Sequence, residues 1–115
     1  MFYTRHIIEV GKSMDLHAMA DSAAQAEALL KMLANRNRLM ILCSLQSTEL
    51  SVGELNERVP LAQSALSQHL AAMRKTGIVA SRRAGATVYY RIADDKVLVI
   101  LQQLYQLFCA DKDTP

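Results

Sequence analysis

SVGELNERVPLAQSALSQHLAAMRKTG, residues 51–77, decides how this chain folds. Ser51 stands three residues before Glu54, the S-x-x-E spacing of a capping box, so a short helix starts here. Val52 and Leu55 are its inward residues. Val59-Pro60-Leu61 ends it, because proline neither donates a backbone hydrogen bond nor continues a helix. A second helix follows from about Ala62 to Thr76. Leu66, Leu70 and Met73 form its inner stripe, with Ala62 and Ala65 beside them. Gly77 takes the position just past its end, where a left-handed residue closes a helix. Two helices joined this tightly make a helix-turn-helix.

The flanking sequence completes the architecture. Downstream, Ile78–Arg83 and Thr87–Ile92 flank Ala84-Gly85-Ala86 and predict a β-hairpin. Val88, Tyr90 and Ile92 alternate with Tyr89 and Arg91, the period of a half-buried strand. Asp94 or Asp95 then caps a last helix to about Cys109 that is apolar on nearly every side, with Gln102, Gln103 and Gln106 as its polar strip. Upstream, a helix from Arg36 to about Gln46 is apolar on most sides, including Met40 and Cys43, and is expected in the core. Before it, Ser13 or Asp15 caps a helix over about 15–34. Its stripe is Leu16, Met19, Ala23, Ala26, Leu30 and Leu33, and the alanines let another helix approach closely. The fold class is therefore mainly α with a small β-hairpin, a winged helix-turn-helix of order ααααββα. It occupies residues 15–110, with a flexible arm over 1–14 and a tail over 111–115.

Composition narrows the function. With 115 residues, 51% of them hydrophobic, the chain builds one compact domain, though one small enough to gain stability from a second copy. The longest apolar runs, Leu39–Cys43 and Val97–Leu101, fall far short of the ~18 residues of a membrane span. The N-terminal MFYTRHIIEVGK lacks a signal-peptide core, so a cytoplasmic protein with reduced thiols is expected. No phosphate loop, Ser/His/Asp order or paired-carboxylate pattern marks an enzyme, and no cofactor is implied. The net charge is +2, yet residues 58–93 hold six basic side chains and no acid, leaving −4 for the rest of the chain. Such segregation fits a polyanion partner.

The second helix of the helix-turn-helix offers the matching chemistry. Gln63, Ser64, Ser67, Gln68 and Ala71 are short enough for close approach to base edges in a major groove. Arg74 and Lys75 suit phosphates, and Arg82 and Arg83 make the hairpin a basic wing for flanking phosphates or the minor groove. An ordinary solvated face would not explain why this one lacks acids. Double-stranded DNA is the expected partner. A winged helix serving as a protein-binding adaptor is the alternative from a different class.

Ser67-Gln-His-Leu-Ala-Ala-Met-Arg-Lys-Thr-Gly-Ile-Val79 closely resembles the recognition-helix signature of the ArsR/SmtB family of repressors. Asn37-Arg-Leu-Met-Ile-Leu42 resembles the family's second helix, and Ser51-Val-Gly-Glu-Leu55 its helix-turn-helix start. The resemblance covers about residues 20–109. It implies a homodimer joined by the first and last helices, acting as a repressor or an anti-repressor. Where family members bind metal through cysteines near the third helix, this chain has Ser51 and Gly53. Where others use His and Asp on the last helix, it has Asp94 and Asp95 without a His. His6, His17 and His69 show no ligand spacing, and His69 reads as a packing or backbone-contact residue, so no metal site is expected.

Cys43 and Cys109 lie on apolar helices, and by residue type alone they read as small buried hydrophobes sooner than as reactive thiols. The resemblance favours the second reading. The sulfur- and redox-responsive BigR/SqrR/HlyU branch carries one Cys on the second helix and one near the end of the last, as here. It implies an inducer that is a reactive sulfur species or an oxidant. The alternative is a metal-responsive or ligand-independent member with structural cysteines.

Overall fold

The computed structural model describes residues 13–110; most of the expected arm and the whole tail over 111–115 lie outside the described residues. The elements are α1 (Leu16–Leu33), α2 (Arg36–Ser44), β1 (Leu50–Ser51), α3 (Val52–Arg58), α4 (Gln63–Lys75), β2 (Val79–Ala84), β3 (Thr87–Ile92) and α5 (Asp95–Phe108). The chain divides into two compact units that meet at Lys31 and Met32.

The first unit holds most of α1. Asp15, rather than Ser13, caps it: Oδ1 accepts the backbone N–H groups of His17 and Ala18 at 2.9 and 3.3 Å. Of the expected apolar stripe, Leu16, Met19 and Leu30 remain exposed in the single chain.

The second unit carries the core, in which Ile41, Leu42, Leu55, Leu66, Leu70, Met73 and Val97 are fully buried. Asn35 caps α2, its Oδ1 accepting from Asn37 and Arg38. The helix stops at Ser44, two residues before the expected end, and Ser47 turns the chain at φ 63°. Only part of α2 is core. Ile41, Leu42 and Leu45 are buried, whereas Met40 and Cys43 are exposed, because a helix packed on a core by one face leaves the residues of its other face outside that contact.

Strand β1 was not expected. At 2 residues it is too short to show a period, and it forms by pairing with β3, Leu50 opposite Tyr90 and Ser51 opposite Tyr89. The sheet is antiparallel with order β1-β3-β2. The hairpin begins one residue later than expected, and Gly85 takes the first loop position at φ 63°, which favours glycine. Asp94 caps α5 through Lys96 N–H. That helix buries Val97 and Leu101 but exposes Val99, Tyr105, Leu107 and Phe108. Among the described residues no helix is long and apolar enough to cross a membrane.

Candidate nucleic-acid interface

The helix-turn-helix is assembled by short-range bonds. Ser51 Oγ accepts Glu54 N–H at 3.2 Å while Glu54 Oε1 accepts Ser51 N–H at 2.9 Å, so the capping box is complete. Asn56 Nδ2 donates to Leu61 O at 2.7 Å and pins the turn, whose Val59 is buried. At the far end Gly77 adopts φ 82°, its N–H bonds Arg74 O, and Ile78 N–H bonds Met73 O. This double closure turns the chain directly into the hairpin. Glycine is needed there because a side chain at that φ is strained.

Helix α4 stands between these two ends. Leu66, Leu70 and Met73 are fully buried, and Gln63, Ser64, Ser67, Gln68, Arg74 and Lys75 are all exposed. The structure thus brings the helical residues expected to read DNA onto one element about 18 Å long. No carboxylate interrupts it. Arg74 and Lys75 sit in its last turn, where the negative end of the helix dipole favours cations. Ala62 supplies no side-chain cap, so the first-turn N–H groups are left for solvent or an anion.

The wing separates two arginines that look equivalent in sequence. Arg82 pairs with Tyr89 and Arg83 with Val88 across β2 and β3, and neighbouring residues of a strand point to opposite faces. Arg82 is engaged. Its Nε donates to both Glu49 oxygens at 2.9 and 3.0 Å, and its Nη2 lies 2.8 Å from Oε1. Its guanidinium lies 4.9 Å from the Tyr89 ring centroid. Arg83 is exposed, with no ion-pair partner among the described residues. Sequence reasoning gave Glu49 no partner, and nothing in the 33 positions separating it from Arg82 signals the pair.

The family model for bacterial regulatory proteins of the arsR family matches residues 35–81, the segment from the α2 cap through α4 into β2. The chain is 46% identical over 99 residues to the transcriptional activator HlyU of Vibrio cholerae, covering 86% of this chain and 92% of that one. It is 40% identical to the biofilm growth-associated repressor of Agrobacterium fabrum, over 92% of this chain and 90% of the relative. The solved repressor BigR of Xylella fastidiosa superposes with a TM-score of 0.80 at 38% identity, covering 84% of this chain and 99% of that one. The chain belongs to the ArsR family. Within it the chain is HlyU- and BigR-like, a DNA-binding transcriptional regulator with a winged helix-turn-helix, and these relatives are regulators rather than enzymes.

Two further features of this ArsR-family chain were only partly visible in sequence. His69, on α4, is half-buried, and its Nδ1 accepts from Arg38 Nε at 3.1 Å. Arg38 also donates through Nη1 to Met32 O at 3.3 Å and to Met32 Sδ. Burial, and secondarily the Arg38 charge, push the imidazole below its ordinary pKa. A neutral ring that accepts at Nδ1 carries its proton on Nε2. The inward setting of His69 agrees with the sequence; Arg38, which fixes it, was not singled out.

The second feature is the cysteines, both free thiols. Cys43 is on the surface of α2, and Cys109 is half-buried at the end of α5, its N–H bonded to Tyr105 O at 2.8 Å. Atoms crowding the Cys43 sulfur raise its pKa first, and the charge of a Cys109 thiolate raises it further. The two sulfurs therefore lie within electrostatic reach of one another across 66 sequence positions. Among the described residues no three His, Cys, Asp or Glu side chains gather as a metal site requires.

Proposed function

We propose that this regulator is a homodimeric repressor, or an anti-repressor, whose hold on its operator is switched by reactive sulfur species or oxidants through Cys43 and Cys109. The observation that carries the reading is that Cys43, on the surface of α2, and Cys109, at the end of α5, are both free thiols. In this reading Gln63, Ser64, Ser67 and Gln68 face base edges, and Arg74, Lys75 and the wing face phosphates. The second copy covers the exposed apolar side chains Leu16, Met19 and Leu30 of α1 and Val99, Leu107 and Phe108 of α5. A cytoplasmic setting, which keeps thiols reduced until an inducer arrives, suits such a switch.

The chemistry balances with a persulfide as the oxidant. One cysteine thiolate attacks the outer sulfur of R–S–SH, forming a protein persulfide and releasing R–S⁻. The other thiolate attacks the cysteine sulfur and expels HS⁻. The dithiol has lost two electrons and the sulfane sulfur has become sulfide. A second sulfane equivalent leaves one sulfur between the cysteines, which relaxes the ~7 Å limit on Cα separation that a simple disulfide imposes. The bridge ties α2, which supports the reading unit, to α5, which holds the partner. Half-sites lie about 34 Å apart, so a small rotation of either protomer misaligns one recognition helix.

The test is an operator titration of wild type, Cys43→Ser and Cys109→Ser before and after persulfide treatment, with mass spectrometry on the same samples. Wild type loses binding and gains the crosslink, and each single variant keeps DNA binding and loses the response. Loss of binding in a treated single variant, or no crosslink in wild type, overturns the dithiol switch.

A further inference from the structure

We infer that Glu49 is a specificity-setting residue that holds Arg82 across the central strand, withholding it from the phosphate backbone so that the wing offers Arg83 instead. The inference rests on the reading that the wing meets DNA. Its observation is the path of one side chain. Arg82 starts on β2, an edge strand, and Glu49 immediately precedes β1, the opposite edge. To reach it the guanidinium crosses β3 over the face of Tyr89, its cross-strand partner, with Cζ 4.9 Å from the ring centroid. It ends in contacts of 2.8–3.0 Å with both carboxylate oxygens. One arginine thus spans all three strands of the sheet.

The exchange that a phosphate contact would require is unfavourable. A phosphate offers Arg82 the kind of charge-assisted hydrogen bonds it already makes to Glu49, so little is gained in bond number or type. Leaving Glu49 forfeits the ring contact and strands a bare carboxylate beside a polyanion. Arg83 carries no such penalty. It points to the other face at the hairpin tip, exposed and with no ion-pair partner among the described residues.

Holding back one cation has a consequence for target choice. Binding to random sequence scales with the number of phosphates neutralised, whereas base contacts act only at the operator. A wing with one available arginine instead of two lowers the first term and leaves the second alone. Glu49 thereby widens the gap between operator and bulk DNA without touching a base.

Salt titrations on a random-sequence duplex test this with the full-length protein, using far-UV circular dichroism and thermal melting to confirm folding. Glu49→Gln frees Arg82, so the slope of log affinity against log salt steepens by about 0.9, the increment for one more phosphate. Random-duplex affinity rises several-fold at low salt, and the operator-to-random ratio falls. Arg82→Glu alone flattens the slope and weakens binding, and adding Glu49→Arg rebuilds the pair in reverse and restores both. A structural role for the pair would be seen in melting and would leave the slope unmoved. If folded Glu49→Gln keeps the wild-type slope, the inference is wrong. If the reversed pair binds as weakly as Arg82→Glu alone, Arg82 itself touches phosphate and the inference is again wrong. Arg83→Gln separates this from the underlying reading: an unchanged slope there means that the wing does not meet DNA, and both fall together.

Discussion

Helices α4 and α5 are nearly the same length, 13 and 14 residues, and each is held by one buried apolar stripe. In α4 the stripe is Leu66, Leu70 and Met73; in α5 it is Val97 and Leu101. Their other sides are opposites. Helix α4 exposes Gln63, Ser64, Ser67, Gln68, Arg74 and Lys75, while α5 exposes Val99, Leu107 and Phe108 at 57%, 55% and 70%. The buried stripe explains why each segment folds as a helix, and it says nothing of what the helix is for. The outer face does that. Short polar and basic groups cost little in water and gain from a polyanion. Large apolar side chains lose roughly 1.5–3 kcal/mol each when left hydrated, so a face of them calls for cover.

The contrast is broken most forcefully from inside. Leu70→Ala removes fully buried volume from α4 and should cost about 2–5 kcal/mol in urea unfolding. In the dimeric reading, Phe108→Ala should differ in kind as well as size. Its effect on the unfolding midpoint should appear at protein concentrations where dimers form and vanish on dilution. An equal loss at all concentrations would place Phe108 in the protomer's own core.

A smaller effect sharpens the outer face of α4. Gln68→Ala should reduce discrimination between operator and random duplex by about 1–3 kcal/mol while leaving the salt slope alone. A changed slope with intact discrimination would assign Gln68 to the backbone rather than to a base.

The smallest expected effect concerns how α4 is held from behind. The folded His69 pKa lies below the ordinary value of 6.5, so the unfolded chain takes up the proton first. Whatever stability the neutral Arg38–His69 pair contributes is complete above that value and is lost as pH falls through the folded pKa. Arg38→Gln removes the secondary cause and should move the His69 resonance part of the way back toward the ordinary pKa in an NMR titration, with His69→Gln giving the assignment. A downward move would show that the guanidinium was favouring the charged ring.

What the sequence determined by itself is local. The capping box at Ser51 and Glu54, the break at Pro60, the inner stripe of α4 and the left-handed closure at Gly77 each follow from residues within a few positions of one another, and each forms as expected. The exposed polar face of α4 was legible for the same reason, since a helix maps spacing directly onto direction. What only the tertiary structure decided is every meeting across distance. Leu50 and Ser51 become a strand because β3 is beside them. Arg82 finds Glu49 across 33 positions, and Arg38 finds His69 across 31. Met40 and Cys43, apolar in an apolar helix, face outward because α2 buries only one side. Such pairings depend on sheet register and on which helix face the rest of the chain covers, and neither is written in the spacing of any single segment.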